Sequence, residues 1–223
     1  MKDFKNIKNF IFDLDGTLYG QDMLEKVFGQ VSKRMSKFIS QKLNVNLEKA
    51  KELQKNYFHK YNTSLNGLMI HHDINPQEFL KFVHEINLDF LKKDIVLREE
   101  LLKLEAKKYI YTNGSFEHID QIIKSLGIED LFDGTFDIVE ANYVPKPSLK
   151  SYKNMIKKFN IDPKESVFIE DIAMNLEPAK KLGMKTVWIE NDEYWGKKNS
   201  NKDFIDLKIK KLSSFLKEIN ILN

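Results

Sequence analysis

Apolar residues follow two different periods along this chain, and the change between them divides it. Near the start, Phe10, Ile11 and Phe12 form an unbroken apolar run that leads into Asp13-Leu14-Asp15-Gly16-Thr17-Leu18. A short apolar run bounded by turn residues predicts a buried strand ending in a polar turn. Over residues 21–91 the period becomes helical. Val27, Val31, Met35, Phe38 and Ile39 share one face of a first helix. Leu47, Ala50, Leu53, Tyr57 and Phe58 share a face of a second, with Asn46 as its expected N-cap. Asn75-Pro76-Gln77-Glu78 is a strong helix start, combining an N-cap Asn, Pro at the first helical position and Glu three residues after the cap. Phe79, Phe82, Val83 and Ile86 then supply the apolar face.

From about residue 94 the pattern alternates between helices and short apolar strands. Residues 99–104 end a helix, and residues 108–112 read as a strand that runs into Asn113-Gly114. Residues 116–126 form a helix stopped by Gly127, and residues 135–139 are a candidate strand. Val144-Pro145-Lys146-Pro147-Ser148 is a stiff loop, with Ser148 expected to cap a helix reaching about residue 159. Residues 166–171 form a second buried strand ending on acids, followed by a helix over 175–182 stopped by Gly183, and a strand over 186–189. The end, from about residue 205, reads as a Lys-rich amphipathic helix with Leu207, Leu212, Phe215 and Leu216 turned inward. Strands alternating with helices predict the α/β class, a parallel sheet covered by helices on both faces. The all-helical block sits between the first strand and the rest, so it reads as a cap over the end of that strand. The expected domains are a core from residues 1–18 and 92–223 and a helical cap from residues 19–91.

Composition narrows the function classes. The chain has 223 residues, 42% of them hydrophobic, which suits a globular fold with a sizeable core. A net charge of +3 with acids and bases interspersed is too mild to indicate a nucleic-acid polymer as partner. There is no cysteine, which excludes disulfides, thiolate catalysis and zinc–thiolate sites. No stretch approaches the roughly 18 apolar residues of a membrane span, and Met1-Lys2-Asp3-Phe4-Lys5 lacks the apolar core of a signal peptide. A cytoplasmic protein without a membrane partner is the expectation.

The chemistry concentrates where strands end. Asp13 and Asp15 place two negative charges at one point, which calls for a hard divalent cation such as Mg²⁺. Gly16 allows a sharp turn, and Thr17 offers a hydroxyl and a backbone N–H to an anion. Carboxylate, metal and anion site together suggest phosphoryl transfer onto Asp13. Thr112, followed by Asn113 and Gly114, can bind a phosphoryl oxygen at the start of the next helix; it also reads as a simple capping turn. Lys146, between two prolines, can hold an ammonium over the site, where it would offset both the aspartates and a phosphate. Glu170 and Asp171 are adjacent acids at the end of a buried strand and need a cation or protons. With Asp13 and the backbone carbonyl of Asp15 they can complete a Mg²⁺ site.

In chain order these are an Asp-x-Asp-Gly-Thr string, a Thr after an apolar strand, a Lys between prolines and a Glu-Asp pair. The set resembles the motifs of the haloacid dehalogenase-like hydrolase superfamily, over about residues 9–191. The resemblance implies a Rossmann-like core with a helical cap inserted after the first strand. It also implies a mechanism: Asp13 attacks phosphorus in line, and Asp15 protonates the leaving alcohol and then serves as base for water. Mg²⁺, Lys146, Thr112, Asn113 and the turn amides hold the phosphoryl charge. The superfamily's dehalogenase branch lacks an acid at the place of Asp15, so its presence favours phosphate chemistry.

The string Tyr61-Asn62-Thr63-Ser64-Leu65-Asn66-Gly67-Leu68, followed by His71-His72 and Asn75-Pro76, is similar to the pyrimidine 5′-nucleotidase branch. Asn62 and Asn66 depart from that branch, which usually has Gly and Arg there. On this resemblance, residues 61–68 join two cap helices, and Tyr61, Asn62, Thr63 and Asn66 contact the base of a nucleoside monophosphate. The same stretch also reads as an ordinary helix connector. The expected activity is therefore Mg²⁺-dependent hydrolysis of a small phosphate ester, with a pyrimidine nucleotide as the leading substrate. A sugar-phosphate phosphatase or phosphomutase of the same fold, or a catalytically silent binding module, are the alternatives.

Overall fold

A computed structural model describes residues 4–222, so residues 1–3 and 223 of the expected core segments lie outside it. Six parallel strands form one sheet in the order β3-β2-β1-β4-β5-β6. They are β1 (Asn9–Phe12), β2 (Lys107–Tyr111), β3 (Gly134–Phe136), β4 (Ser166–Glu170), β5 (Lys185–Ile189) and β6 (Leu207–Ile209). β1 lies at the centre, paired with β2 on one side and β4 on the other. Its residues are buried on both faces, which explains the unbroken apolar run.

The period of two sorts each strand's side chains between two cores. Phe10 and Phe12 join Ile110, Val167, Ile169 and Val187 under α5 (Ile95–Lys103), α6 (Phe116–Leu126) and the helix Leu212–Leu222. Ile11 joins Tyr109, Tyr111, Phe168 and Trp188 under α7 (Leu149–Phe159) and α8 (Ala173–Lys181). The order reverses at β1: the chain builds outward from it first to β2 and β3, then to β4, β5 and β6. Such a switch point opens a crevice beyond the carboxyl ends of the strands.

The helical block comprises α1 (Gln21–Leu43), α2 (Leu47–Tyr61), α3 (Ser64–His72) and α4 (Pro76–Val83). It has its own apolar cluster of Val31, Phe38, Ile39, Leu68, Phe79 and Val83. Ile138 and Tyr143, from the segment after β3, pack into this cluster and give the block its seat on the sheet side. The two clusters divide within α1: Leu24 and Val27 belong to the sheet core, whereas Val31 and the residues after it belong to the helical cluster. Asn46 and Asn75 cap α2 and α4 with their side chains, as their positions predict.

Four local expectations differ from the fold. Leu207–Ile209 is strand β6 rather than helix, because its alternating apolar positions pair with the free edge of β5; only Leu212–Leu222 is helical. The strand expected over 135–139 ends at Phe136, where the Asp137 carboxylate turns to accept from the backbone N–H groups of Phe116 and Glu140. Ser148 occupies the N-cap position of α7, but its side chain makes no capping bond. The connector expected over residues 61–68 is only residues 62–63, since α3 begins at Ser64. Among the described residues no helix is long and apolar enough to cross a membrane.

Candidate active site

The carboxyl ends of β1, β2 and β4 bring Asp13, Thr112, Lys146, Glu170 and Asp171 together, although they are spread over most of the chain. Each of the five is buried. Lys146 Nζ donates to Asp13 Oδ1 at 2.6 Å, to Glu170 Oε1 at 2.8 Å and to the Tyr111 carbonyl at 3.1 Å. All three of its protons are thus accounted for, and burial does not strip its charge. Its pKa is raised: burial disfavours the ammonium, but the carboxylates of Asp13 and Glu170 more than compensate. Asn113 sets this lysine in place, because its Oδ1 accepts from the Lys146 backbone N–H at 2.8 Å. The amide predicted to contact phosphate is therefore engaged with the lysine's peptide.

One lysine stands among three carboxyls and bonds two of them. Oxygens of Asp13, Glu170 and Asp171 lie within 4.8 Å of one another. Burial and the charge of Glu170 push the Asp13 pKa up to about 8, against the pull of Lys146. Asp171 is pushed well above the usual carboxylate range by burial, then by Glu170 and Asp13. Glu170 differs from its neighbours, since its oxygens accept from Lys146, from Asn175 Nδ2 at 2.5 Å and from the Ile172 N–H at 2.8 Å. That makes Glu170 the anchor of Lys146 and leaves Asp13 and Asp171 as the carboxyls with open capacity. Buried oxygen donors carrying more negative charge than their lysine offsets are the donor set of a hard divalent cation.

The turn after β1 is built around this cluster. Gly16 adopts φ +74°, and a Cβ there would come within 2.5 Å of Asp171 Oδ2. Only glycine allows both the backbone conformation and the close approach. Gln21 ties the turn down by donating to the Gly16 carbonyl and to Asp171 Oδ2. The Thr17 backbone N–H, expected to face an anion, instead donates to the Leu14 carbonyl at 3.3 Å. The Thr17 hydroxyl is buried and has no hydrogen-bond partner among the described residues. Thr112 accepts from the Gly114 N–H at 3.0 Å, which is the capping-turn role; its own hydroxyl proton remains free to donate.

Asp15 points away from the carboxylate cluster. Its Oδ1 accepts from the Tyr19 hydroxyl at 2.5 Å and from His118 Nε2 at 2.8 Å. Burial alone would raise its pKa, but His118 and the Tyr19 hydroxyl pull it below the usual value. The Asp15 side chain is thus no member of the acidic cluster, and only its backbone carbonyl remains for the metal role expected of it. His118, Tyr19, Gln21 and Asn175 are site residues that sequence reasoning missed. One signal pointed to His118: it stands three residues after the cap Ser115, where a helical side chain leans back toward the strand ends.

The expected cap residues are bonded to one another. The Thr63 hydroxyl caps α3 by accepting from the Asn66 N–H at 3.1 Å, and Asn66 Nδ2 donates to the Tyr61 carbonyl at 3.1 Å. The Tyr61 hydroxyl pairs with His71 Nε2 at 2.5 Å, and Asn62 is the left-handed C-cap of α2. Gly67 lies inside α3, where a Cβ would come within 2.4 Å of the Tyr57 ring.

Known proteins share this fold. A crystal structure of an HAD phosphatase from Thermococcus onnurineus has the same fold, with TM-score 0.62, 22% identity, and coverage of 95% of this chain and 97% of that one. The chain is 30% identical to phosphate metabolism protein 8 of Saccharomyces cerevisiae over 230 aligned positions, covering 95% of this chain and 70% of the relative. It is 27% identical to glyceraldehyde 3-phosphate phosphatase of Pyrococcus furiosus, covering 95% of this chain and 92% of that protein. The family model for haloacid dehalogenase-like hydrolases matches residues 7–183, which span the helical block and the ends of β1, β2 and β4. The chain therefore belongs to the haloacid dehalogenase-like hydrolase family.

Proposed function

We propose that this protein is a Mg²⁺-dependent phosphatase of small phosphomonoesters that works through an aspartyl-phosphate. The observation that carries the reading is Asp13, buried at the end of the central strand, bonded to Lys146 and grouped with Asp171. Asp13 and Asp171, with the backbone carbonyl of Asp15, would hold the cation; Glu170 would act from behind by fixing Lys146. A bound Mg²⁺ would neutralise the acidic pair and draw charge from the phosphoryl oxygens.

The chain's own residues divide the work. Asp13 is the nucleophile. The Lys146 ammonium, its three protons already engaged, acts on the equatorial oxygens through its charge, and the Thr112 hydroxyl proton and the Asn113 backbone N–H donate to them. Asp15 delivers a proton to the leaving oxygen and takes one from the attacking water. Its lowered pKa in the free protein suits the second task. For the first, an arriving phosphoryl anion is a like charge that raises its proton affinity. The helical block acts as the cap that closes over the leaving group and excludes water.

A sugar or polyol phosphate is the preferred substrate class. The Pyrococcus relative carries a triose-phosphate name. The Thr63 hydroxyl oxygen and one Asn66 amide N–H are already bonded within the helical block, which ties both side chains to the helix junction and reduces what they offer to a pyrimidine edge. The pyrimidine nucleoside 5′-monophosphate reading rests on the Tyr61–Leu68 string and its aromatic Tyr61. A phosphate-release screen with Mg²⁺ over triose, pentose and hexose phosphates, UMP, CMP, AMP and GMP separates the two. Higher kcat/KM on sugar phosphates is expected. Preference for UMP and CMP would reverse the ranking, and no release from any monoester would end the phosphatase reading.

A further inference from the structure

The Asp15 carboxylate is held by a group that nothing in the reaction so far requires. His118 is buried, with 1% of its side chain exposed, and among the described residues the only carboxylate it touches is Asp15. Its protonation pattern follows from its neighbours. Gln121 Nε2 donates to the His84 carbonyl at 2.9 Å, and a carbonyl can only accept, which fixes that amide atom as nitrogen. The same nitrogen stands 3.2 Å from His118 Nδ1, which therefore accepts. The ring proton of His118 then lies on Nε2, where it donates to Asp15 Oδ1.

Tyr19 donates to that same oxygen. Two donors on Oδ1 fix the rotation of the carboxylate and leave Oδ2 as its open atom, with 20% of the Asp15 side chain still exposed. A second histidine backs the first. His84 is the C-cap of α4, on the segment returning from the helical block. Its ring stacks on His118 at 4.5 Å with 14° between the planes, and its Nδ1 lies 3.0 Å from Ser115 Oγ. His118 is thus locked by Gln121 on its far nitrogen and by His84 on its face.

We propose that His118 is a positioning residue: with Tyr19 it pins Asp15 Oδ1 so that Oδ2 faces the leaving-group oxygen. This rests on the reading of Asp15 as the acid. A carboxyl free to rotate would spend only part of its time aligned, and alignment of the reacting atoms is a large share of catalysis. The stack places this control at the root of the cap's return segment.

The test exploits leaving groups. Alkyl phosphates need their leaving oxygen protonated, whereas p-nitrophenolate leaves largely without help. The measurement is kcat/KM at saturating Mg²⁺ on β-glycerophosphate and on p-nitrophenyl phosphate, since kcat/KM covers the step in which the leaving group departs. His118→Leu is expected to lose about 10²-fold on β-glycerophosphate and only a few-fold on p-nitrophenyl phosphate, from the worth of positioned proton transfer. His118→Gln returns a donor close to the Nε2 position and is expected to recover most of the loss. Tyr19→Phe, which removes a single buried hydroxyl, should give the same selective loss in smaller measure, and it carries the test if His118→Leu does not fold. Asp15→Asn is measured in parallel. If Asp15→Asn falls selectively on the alkyl ester but the His118 and Tyr19 variants fall equally on both esters or on neither, the positioning role is wrong and the acid assignment stands. If Asp15→Asn itself loses equally on both, both ideas fall.

Discussion

The strand ends and the α2–α3 junction are both rich in polar side chains, yet they differ in whether those groups are satisfied. At the junction the Thr63 and Ser64 hydroxyls and the Asn66 amide find partners within ten residues: Thr63 with the Asn66 N–H, Asn66 with the Tyr61 carbonyl, Ser64 with the Gln54 carbonyl. These are the bonds that end one helix and begin the next. At the strand ends the demands stay open. Asp13 and Asp171 are forced toward their neutral forms, the Thr17 hydroxyl has no partner among the described residues, and one open oxygen remains on Asp15. Stored electrostatic demand, rather than polar content, marks the place built to take a ligand.

Asp13→Asn is the severest way to break the comparison. It removes the attacking carboxylate, so phosphate release should fall to the assay background while circular dichroism and a cooperative melt persist. A folded, active Asp13→Asn protein would refute the nucleophile. Lys146→Met comes next. Loss of a positioned charge on the phosphoryl oxygens costs about 10²–10³ in kcat. It also leaves buried carboxylates unpaired, which destabilises by roughly 3 kcal/mol. Wild-type turnover in this variant would move Lys146 out of the site.

The open demand should also be visible without substrate. The folded pKa of Asp13 is raised from 3.8 to about 8, so the native state holds a proton that the unfolded state releases. Stability is then highest below the unfolded value and falls as pH rises through that window. Metal-free protein should melt at progressively lower temperature from about pH 5 to pH 8, and Mg²⁺ should restore the loss at the upper end by binding the native state. A metal-free melting temperature that is flat, or that rises with pH, would show that the cluster is not under this strain.

The junction should respond in stability alone. Gly67→Ala drives a methyl group into the Tyr57 ring and should cost about 1–3 kcal/mol by overpacking. Thr63→Ala removes a helix cap and should cost about 1 kcal/mol, or roughly 2–4 °C in melting temperature. In both, kcat/KM should fall by the same small factor on UMP, AMP and a sugar phosphate. A selective loss on UMP in Thr63→Ala would return this residue to substrate recognition.

The features legible in the chain are those whose cause is local. The apolar run and its turn of Asp13, Asp15, Gly16 and Thr17 predict a strand with acids at its end, and Asn46 and Asn75 announce their helices within four residues. Alternating periods then imply the parallel sheet. What lies between distant residues was decided only by the fold. Leu207-Lys208-Ile209 is helical by its neighbourhood in the chain and a strand because β5 offers an unpaired edge. Glu170 and Asp171 are alike as sequence. Only the packed site sends one to Lys146, Asn175 and Ile172 while giving the other a single amide donor, from Gln21. Asp15 meets His118 across 103 residues, and nothing next to either names the other. Local steric and hydrogen-bonding preferences act over a few residues, so a sequence declares them. The partner of a buried charge is chosen by which strand ends the topology brings together, and that choice exists only once the sheet is assembled.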